Sequence, residues 1–181
     1  MPGPRILVNA LSMSEGGGRS YVVNLLREIR RDDRGFRFTL LASPEQLDGL
    51  DTSSIEVQAL RLPARGRALR LPLRVLYEEI ALPVRARGFD LLYCIADICP
   101  PVASVPVVVL MRNLNIYDRR FYDGPRTRAL FWLARIGAPR ARFAVFPVLA
   151  VLEADALERA GFSLPAGRSS VGVCSAATEA L

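Results

Sequence analysis

Gly16, Gly17, Gly18 and Arg19 are the residues of this chain whose types and spacing point most directly to chemistry, and that chemistry is anion binding. Consecutive glycines let a backbone take positive φ and come close to a ligand. They stand between an apolar run, Ile6, Leu7 and Val8, and a segment in which Tyr21, Val22, Leu25, Leu26 and Ile29 recur at helical spacing. A buried strand, a glycine turn and a helix capped by Gly18 or Ser20 would aim free N–H groups and a positive dipole end at the turn, which suits a phosphate. A tight strand-to-helix connection explains the same glycines, since their spacing fits no dinucleotide or P-loop fingerprint. Glu15 beside them is expected to face solvent or an arginine.

A second group of candidates follows an apolar strand at 105–111. Arg112, Asn113, Asn115 and Asp118 form a polar run at the carboxyl end of that strand, the edge where open parallel sheets bind ligands. Asp97 lies in a loop at the same edge and could orient a hydroxyl group or cap a turn. Tyr117, Tyr122 and Trp132 could stack on a sugar or simply pack. Glu78 and Glu79 adjoin on a helix, face different directions and are read as solvated. No catalytic residue is assigned.

Composition narrows the chemistry further. The sequence has no histidine, which removes the commonest general base and any Ser-His or Cys-His pair. Cys94, Cys99 and Cys174 have no Cys-x-x-Cys spacing and sit among apolar residues, so they are expected to be buried thiols, with no metal site. All 24 basic residues are arginines, and the net charge of +6 favours anionic partners such as nucleotide diphosphates and acidic headgroups. The arginines are not interleaved with aromatics in a nucleic-acid-binding pattern. No stretch reaches the roughly 18 uninterrupted apolar residues of a membrane span and no signal peptide is legible, so a cytoplasmic location, with contact at the inner face of the membrane, is expected.

The elements that must position these residues follow in order. The 181 residues, 51% of them hydrophobic, suffice for one domain, 1–181. After the first helix, 36–42 reads as a strand, Ser43 and Pro44 as a turn out of it, and 55–60 as an edge strand. Residues 61–74, with five arginines, two prolines and a glycine, read as a basic loop that is either a solvated linker or a lip for an acidic substrate or membrane surface. A helix is expected at 75–87 with Val75, Leu76, Ile80 and Leu82 inward and Pro83 ending or kinking it. Strands at 89–94, 105–111 and 143–146, helices at 126–137 and 149–160, and an atypical tail at 174–181 complete the chain. Strands alternating with helices predict an α/β, Rossmann-like, doubly wound and mostly parallel sheet flanked by helices.

Four stretches, in order, resemble the amino-terminal half of the family 4 (GT-B) retaining glycosyltransferases. RILVNALSMSEGGGRSYVVNLLREI is similar to that family's first strand, glycine loop and helix, and YEEIALPVRARGFDLLYC to its helix leading into a strand. PVVVLMRNLNIYD resembles its fifth strand and acceptor-side loop, and VFPVLAVLEADALERAGFSLPAGR its linker-proximal segment. The resemblance implies one lobe of a GT-B fold and transfer of a sugar, with retention, from a nucleotide-sugar donor to a glycan or lipid-linked acceptor, with no metal and no cofactor. It places Gly16, Gly17, Gly18 and Arg19 against the donor diphosphate, and Arg112 and Asn113, with Asn115 and Asp118 nearby, on the acceptor side.

The sequence departs from the family in ways that carry expectations of their own. No two glutamates are eight positions apart, as the family's donor-binding domain would have them, and Val148-Leu149 stands where the family has serine. The chain therefore reads as a lobe that is inactive without a separately supplied carboxyl-terminal half. A non-catalytic Rossmann-like module, or a split-enzyme subunit that holds a nucleotide or a lipid-linked acceptor, is the alternative. An NAD-dependent oxidoreductase is disfavoured, because GGGRSY lacks Gly-x-Gly-x-x-Gly and Ala42-Ser43 replaces the acidic residue at the end of the second strand.

Overall fold

The computed structural model describes residues 3–13, 17–32, 34–63, 67–95 and 98–110, with isolated positions 124, 125, 128, 129, 132 and 133 and the backbone strand at 143–145. Its frame is a six-stranded sheet, all of whose pairings are parallel. The strands are β1 (Arg5–Asn9), β2 (Arg37–Ala42), β3 (Glu56–Ala59), β4 (Leu91–Cys94), β5 (Val107–Leu110) and β6 (Phe143–Val145), in the order β3-β2-β1-β4-β5-β6. This is the doubly wound order, in which the chain works outward from β1 in one direction and then returns to build in the other. Helices α1 (Gly17–Arg31), α2 (Pro44–Leu47), α3 (Arg67–Leu76) and α4 (Leu82–Ala86) lie between the strands, with a π-helical turn at Tyr77–Ala81 joining the last two.

Each strand sends alternate residues to opposite faces, and both faces are covered. Val8, Leu40 and Leu110 pack with Val22 and Leu26 of α1, while Leu7, Leu41, Leu92, Val107 and Val109 pack with Leu82 and Ala86 of α4. Leu7, Leu41, Leu82 and Leu92 are all fully buried, each worth about 1.5–3 kcal/mol of transfer free energy. The hydroxyls of Tyr21 and Tyr93 hydrogen-bond to each other and tie α1 to β4.

Three expectations need correction. Pro44 does not simply turn the chain but opens the one-turn helix α2, where its missing N–H costs nothing. Within 61–74, helix begins at Arg67 and continues through Pro72, so the basic segment is a loop only in its first part. Pro83 neither ends nor sharply breaks the following helix: the wide π turn, closed by the Leu82 N–H to the Tyr77 carbonyl, leads straight into α4, with Pro83 in its first turn.

The buried face of this segment also differs from the sequence reading. Two rows at four-residue spacing compete for the core, Leu76, Ile80 and Val84 against Glu78, Leu82 and Ala86. The more hydrophobic row stands outside, with Leu76 and Ile80 54% and 63% exposed, while Glu78 is only 2% exposed. A carboxylate can occupy that inner position because hydrogen-bonding and charged partners await it there.

Candidate functional site

An open cleft of about 1010 Å³ lies along the carboxyl edge of β1, β2 and β3. Each strand supplies the residues that follow its last pairing: Leu11 and Met13 after β1, Ser43, Glu45, Gln46 and Asp48 after β2, and Leu60, Arg61 and Leu62 after β3. Arg19 of α1 and Arg70, Leu71 and Arg74 of α3 complete the lining. Open parallel sheets bind ligands outside the carboxyl ends of their strands, which is the edge this cleft occupies.

Gln46 holds the cleft's floor together. Its Oε1 accepts the Ser43 N–H at 2.8 Å, and its Nε2 donates to the carbonyls of Leu11, at 3.0 Å, and Met13. One amide side chain thus joins the loops that leave β1 and β2. Nothing in its sequence neighbourhood marks it, beyond its place three residues after Ser43 at a helix start.

The Arg19 guanidinium donates to the carbonyls of Gln46, at 3.5 Å, and Asp48. Those carbonyls belong to the end of α2 and to a turn in which Gly49 has φ +64°. Glycine is needed there for the backbone conformation, and a Cβ on it would lie 3.2 Å from Arg19 Nη2, which would have to give way slightly. Arg19 therefore lines the cleft while anchored to one wall of it.

Gly17 and Gly18 do not form a turn with positive φ: they are the first residues of α1, and Gly18 is buried. Gly17 is exposed, and a Cβ added to it would meet nothing within 4 Å. Its N–H belongs to the helix's first turn, whose donors lack intrahelical partners. Gly16 lies outside the described residues, as do Glu15, Asp97, Arg112, Asn113, Asn115, Tyr117, Asp118, Tyr122 and Cys174. Trp132 is 68% exposed.

Behind the cleft, at the point where the sheet's winding reverses, sits a buried polar network that the sequence reading missed. Asn9, the last residue of β1, faces Leu41 of β2 and Cys94 of β4 in register. Its Nδ2 donates to Glu78 Oε1 at 3.0 Å and its Oδ1 accepts the Leu11 N–H at 3.2 Å. Arg74 Nε approaches Glu78 Oε2 at 3.4 Å, and this arginine also lines the cleft. Burial pushes the Glu78 carboxyl above its usual range, with Arg74 and the Asn9 hydrogen bond opposing the rise. Glu79 is pushed up to about 7, chiefly by burial and then by the charge of Glu78. The only legible signal was the adjacency of the two glutamates, which spacing alone assigned to solvent.

Charge at the mouth of the cleft is dominated by arginine. Glu45 is held below the usual carboxylate range by its own backbone N–H and the Ser43 side chain, and then by Arg70 and Arg61. The closest approach of Arg70 to Glu45 is 3.9 Å. Cys94 and Cys99 are free and buried, and burial pushes both thiols up, Cys99 to about 12. Among the described residues no helix is long and apolar enough to cross a membrane.

No family model and no curated protein matches the chain. Solved structures do resemble it. MurG from Acinetobacter baumannii superposes with a TM-score of 0.50 at 15% identity over 84% of this chain and 43% of its own. A ugt transferase from Siraitia grosvenorii, in complex with UDP, gives 0.50 at 14% over 85% and 47%. Anabaena Alr3699/HepE, in complex with UDP and glucose, gives 0.50 at 19% over 88% and 42%. The chain spans less than half the length of each of these proteins. At such identities the likeness is one of architecture, and the architecture is that of one Rossmann-like lobe of a GT-B fold.

Proposed function

We propose that this chain is the acceptor-side lobe of a nucleotide-sugar glycosyltransferase. The observation that carries the reading is the cleft at the carboxyl edge of β1 to β3, with the exposed start of α1 beside Arg19 and with arginines on three walls. The helix N-terminus and the Arg19 guanidinium beside it stabilise the negative charge that develops on a departing diphosphate. The solved relatives that contain UDP, or UDP and glucose, support the choice of donor class.

The finer reading follows the family 4 resemblance: transfer with retention, without a metal, to a glycan or lipid-linked acceptor, at the cytoplasmic face of a membrane in peripheral contact. A second lobe would close the cleft. One lobe alone supplies only half of the water-free geometry on which proximity and electrostatic stabilisation depend, so it transfers little or nothing by itself.

Amide chemical shifts of the isotopically labelled chain, titrated with UDP-glucose and GDP-mannose, test the reading. Perturbations are expected to cluster at Leu11, Met13, Gly17, Gly18, Arg19 and residues 43–48. Perturbations confined to another surface, or none with either sugar nucleotide, would overturn it.

A further inference from the structure

From the arginine-lined cleft we infer that the acceptor carries a phosphate, which Arg61, Arg70 and Arg74 bind at the end of the cleft formed by β3 and α3. The inference rests on the transferase reading and adds the substrate class to it. At this end of the cleft Arg61, Arg70 and Arg74 stand against the carboxylate of Glu45, an excess of two positive charges. With the buried Glu78 behind Arg74 counted as ionised, the excess is one. A phosphate ester carries between one and two negative charges near neutral pH and matches either count, whereas an uncharged sugar hydroxyl would leave the excess uncompensated.

The arginines divide into anchored and available groups. Arg19 is committed to the carbonyls of Gln46 and Asp48. Arg74 is held from behind by Glu78, whose own second oxygen is held by Asn9, so its guanidinium is positioned at the cleft wall and its side chain stays 23% exposed. Arg70 approaches Glu45 only at 3.9 Å, and among the described residues Arg61 makes no ion pair or hydrogen bond. Two exposed guanidiniums flanking one positioned guanidinium offer the forked donors that recognise phosphate oxygens. Glu45, held below the usual carboxylate range by its own backbone N–H and the Ser43 side chain and then by Arg70 and Arg61, is one negative charge against three guanidiniums and leaves the excess unfilled.

The test titrates the full chain with glucose 1-phosphate, glucose and UDP by calorimetry, comparing wild type with the double variant Arg61→Gln/Arg70→Gln and with Gly17→Val. Arg61 and Arg70 are exposed, so the double variant is expected to unfold at the wild-type temperature. The inference predicts that glucose 1-phosphate binds and glucose does not, and that the double variant weakens the phosphate at least tenfold while leaving UDP within about threefold. It also predicts that affinity falls from 50 to 500 mM salt. Equal binding of glucose and glucose 1-phosphate, or an unchanged affinity in the double variant, would overturn it.

The two readings fail separately. UDP binding that depends on Gly17, with no phosphate binding, would leave the transferase reading standing and refute the acidic acceptor. Phosphate binding without any nucleotide binding would remove its role as an acceptor site. Competition by phosphatidylglycerol vesicles, with phosphatidylcholine vesicles inert, would assign the phosphate to a lipid headgroup. Vesicles without effect would assign it to a soluble sugar phosphate.

Discussion

Replacing Arg74 with methionine removes the only guanidinium within 4 Å of the buried Glu78 carboxylate among the described residues. At 3.4 Å and an effective dielectric constant near 20, the pair interacts by roughly 5 kcal/mol before desolvation and screening are counted. Arg74 is partly exposed, so a net loss of about 3 kcal/mol is expected at pH 8, in line with other broken buried pairs. The loss depends on pH. Burial already raises the Glu78 carboxyl above the ordinary range of a glutamate, and losing Arg74 raises it further. A group with a raised folded-state value contributes its full stability below its unfolded value and loses it as pH rises through the folded one. As pH falls the variant's Glu78 takes up its proton sooner than the wild type's, and the loss should shrink toward about 1 kcal/mol of packing. Glu79 titrates in both proteins, so only the difference between variant and wild type at each pH is informative. Urea unfolding followed by far-UV circular dichroism at pH 5 and pH 8 measures it. The double variant Arg74→Met/Glu78→Gln keeps an acceptor for Asn9 and removes the buried charge, so it should come within about 1 kcal/mol of wild type at both values. An equal loss at the two pH values, or a double variant no better than Arg74→Met, would refute the reasoning.

Three further outcomes follow from the same structure. Gln46→Ala should cost about 2 kcal/mol, because the Leu11 and Met13 carbonyls and the Ser43 N–H lose one shared partner, and hydrogen exchange should rise in the loops after β1 and β2. Glu79→Gln should leave stability at pH 4 unchanged and raise it at pH 8. The wild type loses stability between its unfolded value near 4.5 and its folded value near 7, by about 1–2 kcal/mol once the half-exposed position is allowed for. Cys94 and Cys99 should react with a thiol reagent only as fast as the native chain opens, as read by mass spectrometry of each peptide. Prompt modification of either in the folded protein would contradict their burial.

The frame was legible because its signals are local. Ile6 to Val8 and Val107 to Leu110 are apolar runs that a sheet covered on both faces requires, and α1 shows one apolar stripe. The alternation of strands and helices carried the doubly wound topology. The cleft was less legible, since its parts come from five segments of the chain that only the winding of the sheet brings together. Arg61, Arg70 and Arg74 read as a solvated basic loop, because two prolines and five arginines obscure the helical spacing that starts at Arg67. Glu78 reads as solvated because adjoining glutamates on a helix face different directions and ordinarily meet water, and the partners that make its burial tolerable lie 69 residues away at Asn9 and one turn back at Arg74. Gly17 and Gly18 were read as a turn with positive φ and instead begin a helix, where small residues leave the first N–H groups uncovered.

Titrating the chain with UDP, GDP and ADP in wild type and in Gly17→Val addresses the central claim most directly, because a Cβ at position 17 has no described atom within 4 Å and the added bulk stands where a ligand would approach the start of α1. The transferase reading predicts that at least one nucleoside diphosphate binds with a Kd below about 1 mM, and that the valine weakens it at least tenfold without lowering the unfolding temperature. Absence of binding by all three, or binding that Gly17→Val leaves unchanged, would contradict the claim that this edge of the sheet meets a nucleotide-sugar diphosphate.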